Sequence, residues 1–290
     1  MDTINGQMAQ NCVSYREFPE HVGEIVCMKG MIHRIREMTG FAFVIIRTAR
    51  ETVQCVYSPD FSDYRMDERV VEGCAVKLTG KIVKDETREG RYEMQIHGIE
   101  VLSTPAEMMP IVINKKQLDN IPIDLNLNLR PVTLRNPKER AVFKIQEGIA
   151  RGFREYLFGQ GFTEIRTPKI CAQGAEGGAN IFKLDYFGKQ VFLAQGPQFY
   201  KQMLVPVYER VFEVGPVFRA EHHDTSRHLN EYVSMDFEMG FIDSFYDIMN
   251  METGALKYIM ALLKKDYAEE IALLNAQLPE IGEDPVVKLM

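Results

Sequence analysis

The chain has 290 residues, 46% of them hydrophobic and 26% charged, with a formal net charge of −7 at pH 7. Its length suits about two domains, and no apolar run approaches the roughly 20 residues that cross a bilayer, which argues against a membrane protein. The acidic balance weighs against nonspecific binding to nucleic acid, whose affinity comes from phosphate contacts, but it leaves room for recognition through bases and local basic patches. The polar start, MDTINGQMAQNC, lacks the layout of a secretion signal. The five cysteines (Cys12, Cys27, Cys55, Cys74, Cys171) are scattered and without CxxC spacing. That pattern predicts reduced thiols in a cytoplasmic protein, with neither a zinc site nor a disulfide framework.

Residues 1–20 read as a polar lead, and consecutive strands follow from 21 to 103. Val22–His33 is the first, expected to break at Gly30; Phe41–Arg47 and Thr52–Tyr57 come next, then Cys74–Val83 and Tyr92–Leu102. Five short strands with Gly and charged turns predict a small barrel, of which the OB-fold is the common five-stranded form. Residues 104–135, interrupted by Pro105, Pro110, Pro122 and Pro131, have no helical period and read as a linker. A second domain, 136–290, opens on Asn136-Pro137-Lys138-Glu139, a capped helix start. Val142, Ile145, Ile149 and Phe153 recur on one helical face, Gly161 ends the helix, and a strand closed by Pro168 follows. Near the end, an amphipathic helix spans about Ser244 to Asp266. The predicted class is α+β.

The stretch Phe218–Phe241, FRAEHHDTSRHLNEYVSMDFEMGF, carries the most chemistry. Read as two strands and a polar loop, it puts Val217, Arg219 and Glu221 on one face of the first strand. In the second strand Val233, Met235, Phe237 and Met239 form an apolar face, opposite Tyr232, Ser234, Asp236 and Glu238. Paired antiparallel, the polar faces gather a cation and three carboxylates, a surface that suits a polyanion with hydrogen-bonding appendages. His222 and His223 read as solvated loop residues.

This stretch resembles motif 2 of the class II aminoacyl-tRNA synthetases, in particular the aspartyl enzymes of archaeal and eukaryotic type. FRAE, TSRHLNE and the Asp236-Phe237-Glu238 triplet appear in that order; asparaginyl enzymes usually carry Glu-Pro-Glu at the triplet. Further segments extend the likeness. Leu193–Gln202, LAQGPQFYKQ, resembles the aspartyl segment LAQSPQxYKQ, with Gly196 in place of the usual serine. The helix and strand ending at Pro168 resemble motif 1, and the strands of 21–103 resemble the anticodon-binding barrel of the same group.

The resemblance implies a function and a set of roles. Arg219 would bridge the α-phosphate of ATP and the amino acid carboxylate, as the catalytic residue. Glu221 would accept from the adenine amino group, Tyr232 would lie against the adenine ring, Arg227 and His228 would face the outer phosphates, and Leu229 would belong to the same ATP site. Lys201 would pair with the side chain of L-aspartate, with Gln195 and Gln198 nearby. Asp236 would take the α-amino group, and Glu176 would close over the substrate from a mobile loop. Phe43, Gln54 and Glu93 would read anticodon bases by stacking and edge contacts. Met31, where many such enzymes carry tryptophan, leaves the choice between tRNA(Asp) and tRNA(Asn) open. Motif 1 implies a homodimer. No GxGxxR-like motif 3 segment occurs, so the family's Mg2+ ligands and motif 3 arginine are expected outside this chain, leaving an incomplete sheet with an open edge. An asparaginyl enzyme, a tRNA-binding module without catalysis, and a paralogue that uses aspartyl-adenylate without tRNA are the competing readings.

Overall fold

The structure is a computed structural model and describes residues 12–66, 68–114, 121–173, 181–223, 225 and 228–282. The chain divides into two compact units, Met1–Asn136 and Pro137–Met290.

The first unit is a closed barrel of β1 (Ile25–Met38), β2 (Phe41–Arg47), β3 (Thr52–Tyr57), β4 (Ala75–Lys84) and β5 (Tyr92–Ser103), in the order β1-β2-β3-β5-β4. Alternation sets its faces: Ala42, Val44 and Ile46 of β2 and Val53, Cys55 and Tyr57 of β3 fill the core, while Phe43 and Gln54 lie on the opposite face of their strands. The first strand does not break at Gly30. It continues to Met38, pairing with β4 through Ile25–Met31 and with β2 through Met31–Met38. A register shift between Ile32 and Arg34 leaves His33 as an extra residue, and such a bulge bends a strand from one partner to the next. Gly30 is required at this bend, because a Cβ there would meet Ile46 and come within 3.0 Å of the Arg47 carbonyl oxygen.

Further expectations for this unit are corrected. Residues expected within a polar lead fold onto the barrel: a 3-10 helix, Tyr15–His21, inserts the fully buried Phe18 into the core. Glu17 accepts from Ser14 N–H (2.8 Å) and Oγ–H (2.6 Å) at the helix start, and these bonds hold its carboxyl below the usual range. Two of the five cysteines are not free thiols. Cys12 and Cys27 form a disulfide, because a parallel bridge brings their Cα atoms to 4.4 Å, a proximity that scattered sequence positions do not reveal. The expected linker also holds two short helices, α1 (Ile123–Asn128) and α2 (Arg130–Thr133). Pro131 sits in the first turn of α2, where its missing N–H costs nothing, and elements this short show no periodicity.

The second unit begins with α3 (Pro137–Gly159), which Gly161 at φ +79° follows. Its core joins Phe153 and Leu157 of α3 to Ala255, Ile259, Leu262 and Leu263 of α5 (Phe245–Asp266), with Phe162, Phe212 and Tyr267. Ile145 and Ile149 pack against this core as expected, but Val142 is 45% exposed. The close approach of α3 to α5 depends on Gly148: a Cβ there would lie 2.6 Å from Leu263. Ser244 caps α5, accepting from Tyr246 N–H (3.3 Å) while Asp247 accepts from Ser244 N–H (2.9 Å). A short helix, α6 (Ala268–Leu274), follows α5.

Two three-stranded sheets lie between these helices in the sequence. One contains β7 (Ile170–Cys171), β8 (Lys183–Tyr186) and β9 (Lys189–Leu193), in the order β7-β9-β8. The other is β11 (Glu231–Met239), β10 (Arg210–Phe218) and β6 (Thr163–Glu164), in that order, with β11 at an edge. The apolar face predicted for β11 is only half covered: Phe237 and Met239 pack on the core, while Val233 is 64% exposed. The strand predicted to carry Arg219 and Glu221 ends at Phe218. Glu221 N–H donates to the Arg219 carbonyl (2.8 Å), a three-residue turn that directly follows the strand.

Candidate active site

The polar face of β10 and β11 is built by register. Val211, Glu213, Gly215 and Val217 stand opposite Glu238, Asp236, Ser234 and Tyr232, and directly opposed residues share a face. Helix α4 (Gln198–Tyr208) lays Lys201 over it. Lys201 is only 5% exposed, and its Nζ lies 3.4 Å from both Asp236 Oδ1 and Glu238 Oε2. Asp236 also accepts from the Ser234 hydroxyl. A buried ammonium is tolerated only with such partners, so the site holds one desolvated positive charge at a fixed position.

The segment that leads into α4 is stitched between two others. Ala194 N–H donates to the Lys169 carbonyl (2.9 Å), and Phe218 N–H donates to the Ala194 carbonyl (2.9 Å). Gln195 is therefore buried beside Lys201's helix, and Gln198 begins that helix. Beyond the end of β10, Arg219 N–H donates to the Asn230 carbonyl (2.9 Å), and its guanidinium lies 5.8 Å from the centroid of the Tyr232 ring. The predicted residues Gln195, Gln198, Lys201, Asp236, Arg219 and Tyr232 thus fall on or beside one sheet face. His228 and Leu229 are exposed in the loop, where His228 Nδ1 and Thr225 Oγ1 are 2.7 Å apart. Glu221 is partly buried past the tight turn. Glu176 and Arg227 lie outside the described residues.

The sequence reading missed Glu213. It is 3% exposed and accepts from Thr167 N–H (2.9 Å), Thr167 Oγ1–H (2.7 Å) and Lys169 Nζ (2.8 Å). The available signal was a lone carboxylate inside an otherwise apolar strand, RVFEVGPVF. Glu213→Gln is expected to lower stability by about 2 kcal/mol, the cost of removing a buried carboxylate from the partly buried ammonium that bonds it; chemical denaturation measures it, and a change below about 0.5 kcal/mol would contradict it. Among the described residues, no group of three or more His, Cys, Asp or Glu side chains is arranged to hold a metal ion, so no step is assigned to Mg2+.

On the barrel, Phe43 packs edge-on against Phe41 with centroids 5.2 Å apart. Gln54 Nε2 donates to Glu93 Oε2 (3.1 Å). Burial pushes the Glu93 carboxyl upward, the Gln54 bond opposes that, and Asp85 and Glu86 add to the rise. Met31 lies at the residue of β1 that pairs with both Arg47 and Ala75.

The chain thus has a five-stranded barrel and, later in the sequence, a polar strand pair with a cation near an aromatic ring. Residues 122–287 match the family described as tRNA synthetases class II (D, K and N), and residues 26–102 match the OB-fold nucleic acid binding domain. The chain belongs to the class II tRNA synthetases of the D, K and N group. It is 43% identical to an aspartate–tRNA(Asp/Asn) ligase of Deinococcus radiodurans, over 95% of this chain and 62% of that protein. A ligase of the same name from Thermus thermophilus is 41% identical over 94% of this chain and 63% of the relative. Among solved structures, asparaginyl-tRNA synthetase from Pyrococcus horikoshii complexed with asparaginyl-adenylate superposes with a TM-score of 0.82 at 27% identity, covering 92% of this chain and 61% of that one. The chain thus spans about three-fifths of the length of these relatives. No helix among the described residues is long and apolar enough to cross a membrane.

Proposed function

We propose that this chain supplies the anticodon-reading barrel and the amino-acid-activating strands of an aspartate–tRNA ligase. The observation that carries the reading is Lys201, a buried ammonium fixed beside Asp236. A fixed cation binds the aspartate side chain and rejects the neutral amide of asparagine, which would leave the charge without a partner. Two of the relatives named above are aspartate–tRNA(Asp/Asn) ligases, which supports the same choice.

In this mechanism the α-carboxylate of aspartate attacks the α-phosphorus of ATP and pyrophosphate leaves. Lys201 and Asp236 hold the amino acid by its side chain and α-amino group, with Gln195 and Gln198 around it. Arg219 neutralises charge at the α-phosphate, with Tyr232 against the adenine and Glu221 accepting from its amino group. Arg227 and His228 are assigned to the outer phosphates, Leu229 to the ATP site, and Glu176 to closure over the substrate. Positioning and electrostatics carry the step, with no covalent enzyme intermediate. The activated aspartate then passes to tRNA(Asp), or also to tRNA(Asn). Mg2+ has no fitting site among the described residues. The activity belongs to translation in the cytoplasm. Exposed Val142 and Phe143 on α3 support a homodimer through that helix.

The test is ATP–pyrophosphate exchange with aspartate and with asparagine side by side. Aspartate should drive exchange at least tenfold faster; the reverse preference would make the protein an asparagine enzyme. For the barrel, Phe43→Ala is expected to weaken binding of tRNA with a GUC anticodon by about 1–3 kcal/mol through lost stacking. Competition binding at fixed salt measures this. If Met31 relaxes the choice, a GUU tRNA should bind within tenfold of the GUC tRNA; a preference above tenfold for GUC would mean that discrimination is intact, and an unchanged Phe43→Ala affinity would remove Phe43 from the interface.

A further inference from the structure

The segment before β1 holds a group that the synthetase reading does not use. Cys12 forms a parallel bridge with Cys27 of β1, Val13 N–H donates to the Cys27 carbonyl (2.7 Å), and the two sulfurs are bonded across a separation of 15 residues. Inside the ring so closed lies the 3-10 helix with Phe18 in the barrel core and Tyr15 edge-on to it at 5.2 Å. Arg16 reaches across to Glu51 (3.1 Å), and beyond the helix Gly23 N–H donates to the Ile82 carbonyl (2.8 Å). The ring is thus a plug seated at the barrel by a few contacts and one covalent bond. Cys27 is buried, whereas Cys12 is partly exposed and is the sulfur that a dissolved thiol reaches first. Cys55 and Cys74 are buried in the barrel core, and burial also raises the Cys55 thiol far above its ordinary range, while Cys171 is partly exposed but belongs to the other unit. Burial raises the Cys171 thiol in the second unit as well, against the pull of Lys169.

We propose that Cys12 and Cys27 form a reversible redox modification site that latches the plug to the barrel, with a small-molecule disulfide of the glutathione type as oxidant. The Cys12 thiolate attacks one sulfur of glutathione disulfide, expels a glutathione thiolate and leaves a mixed disulfide on Cys12. The Cys27 thiolate then attacks Cys12 Sγ and expels the second glutathione. Two cysteine thiols lose two electrons and two protons, and one glutathione disulfide becomes two glutathiones. Excess reduced glutathione reverses both steps. Closing the ring removes freedom from the unfolded chain, so the latched form is the more stable one.

The experiment needs only the chain itself. Reduced, desalted protein is equilibrated across ratios of reduced to oxidised glutathione, alkylated, and mapped by mass spectrometry, and matched samples are melted. Excess glutathione disulfide should give one linkage, Cys12–Cys27, with Cys55, Cys74 and Cys171 recovered as thiols. Excess reduced glutathione should open it. The oxidised form should melt about 10 °C or more above the reduced form, and Cys12→Ser should melt with the reduced form at every ratio. The reduced wild-type chain makes the same comparison without any substitution. Failure to form this linkage, a linkage that excess reduced glutathione leaves intact, or melting points within about 2 °C would each overturn the proposal. None of these readouts depends on synthetase activity.

Discussion

Lys201→Met is expected to raise the dissociation constant for aspartate by on the order of 10²–10³ while changing that for ATP less than threefold. The Lys201 side chain is 6% exposed, and Asp236 and Glu238 compensate it from one side at 3.4 Å each. In the proposed complex a third carboxylate, that of the substrate, meets the same ammonium away from water. Removing one partner of a desolvated ion pair costs about 3–5 kcal/mol, because the remaining charge has nothing to replace the water it gave up. Methionine fills the space without supplying the charge, so the loss should fall on the amino acid and spare the nucleotide. Calorimetric titration with each ligand separates the two, and equal losses for both would mean that Lys201 supports the strand pair as a whole.

Arg219→Ala is expected to slow aspartate-dependent pyrophosphate exchange by on the order of 10²–10³, with much smaller effects on binding. Arg219 sits just beyond the end of β10, oriented by its backbone bond to Asn230 and by the Tyr232 ring beneath its guanidinium. A donor held in that way before reaction costs no reorganisation when charge develops, and losing one such group costs roughly 3–4 kcal/mol of transition-state stabilisation. Stopped-time exchange assays at saturating ATP and aspartate read this directly. A loss under threefold would take Arg219 out of the reaction.

Much of the barrel was legible because its short strands are separated by Gly and charged turns, and some of them have one wet and one dry face. β2 is apolar up to Arg47 and was legible from its length and flanks, whereas in β4 Val76, Leu78 and Ile82 alternate with Lys77, Thr79 and Lys81, a period of two. The polar face of β11 was legible for the same reason, and Asp236 stands on it as expected. What lay hidden depends on contacts between distant segments. Glu213 escaped notice because its partners, Thr167 and Lys169, belong to another part of the chain. The Cys12–Cys27 bond required knowing that the lead folds back along β1. The end of β10 turned on a single hydrogen bond between neighbouring residues, which no hydrophobic pattern records. Glu176 and Arg227, expected in the site, lie outside the described residues.

The strand order of the barrel also constrains how the chain can assemble. β1, β2 and β3 follow one another as an antiparallel meander, and β4 and β5 form a second local pair. The two pieces join only through β1 with β4 and through the parallel contact of β3 with β5. Neither junction can form until the later strands have left the ribosome, so the meander must wait with both outer ladders unsatisfied. Closing such sequence-distant pairs is the slow part of folding for barrels, since loop entropy is lost before the contacts form. During that wait the free edges of β1 and β3 are both open to mispairing. Phe18, which precedes β1 in the chain, is already present to cover the forming core from its open end.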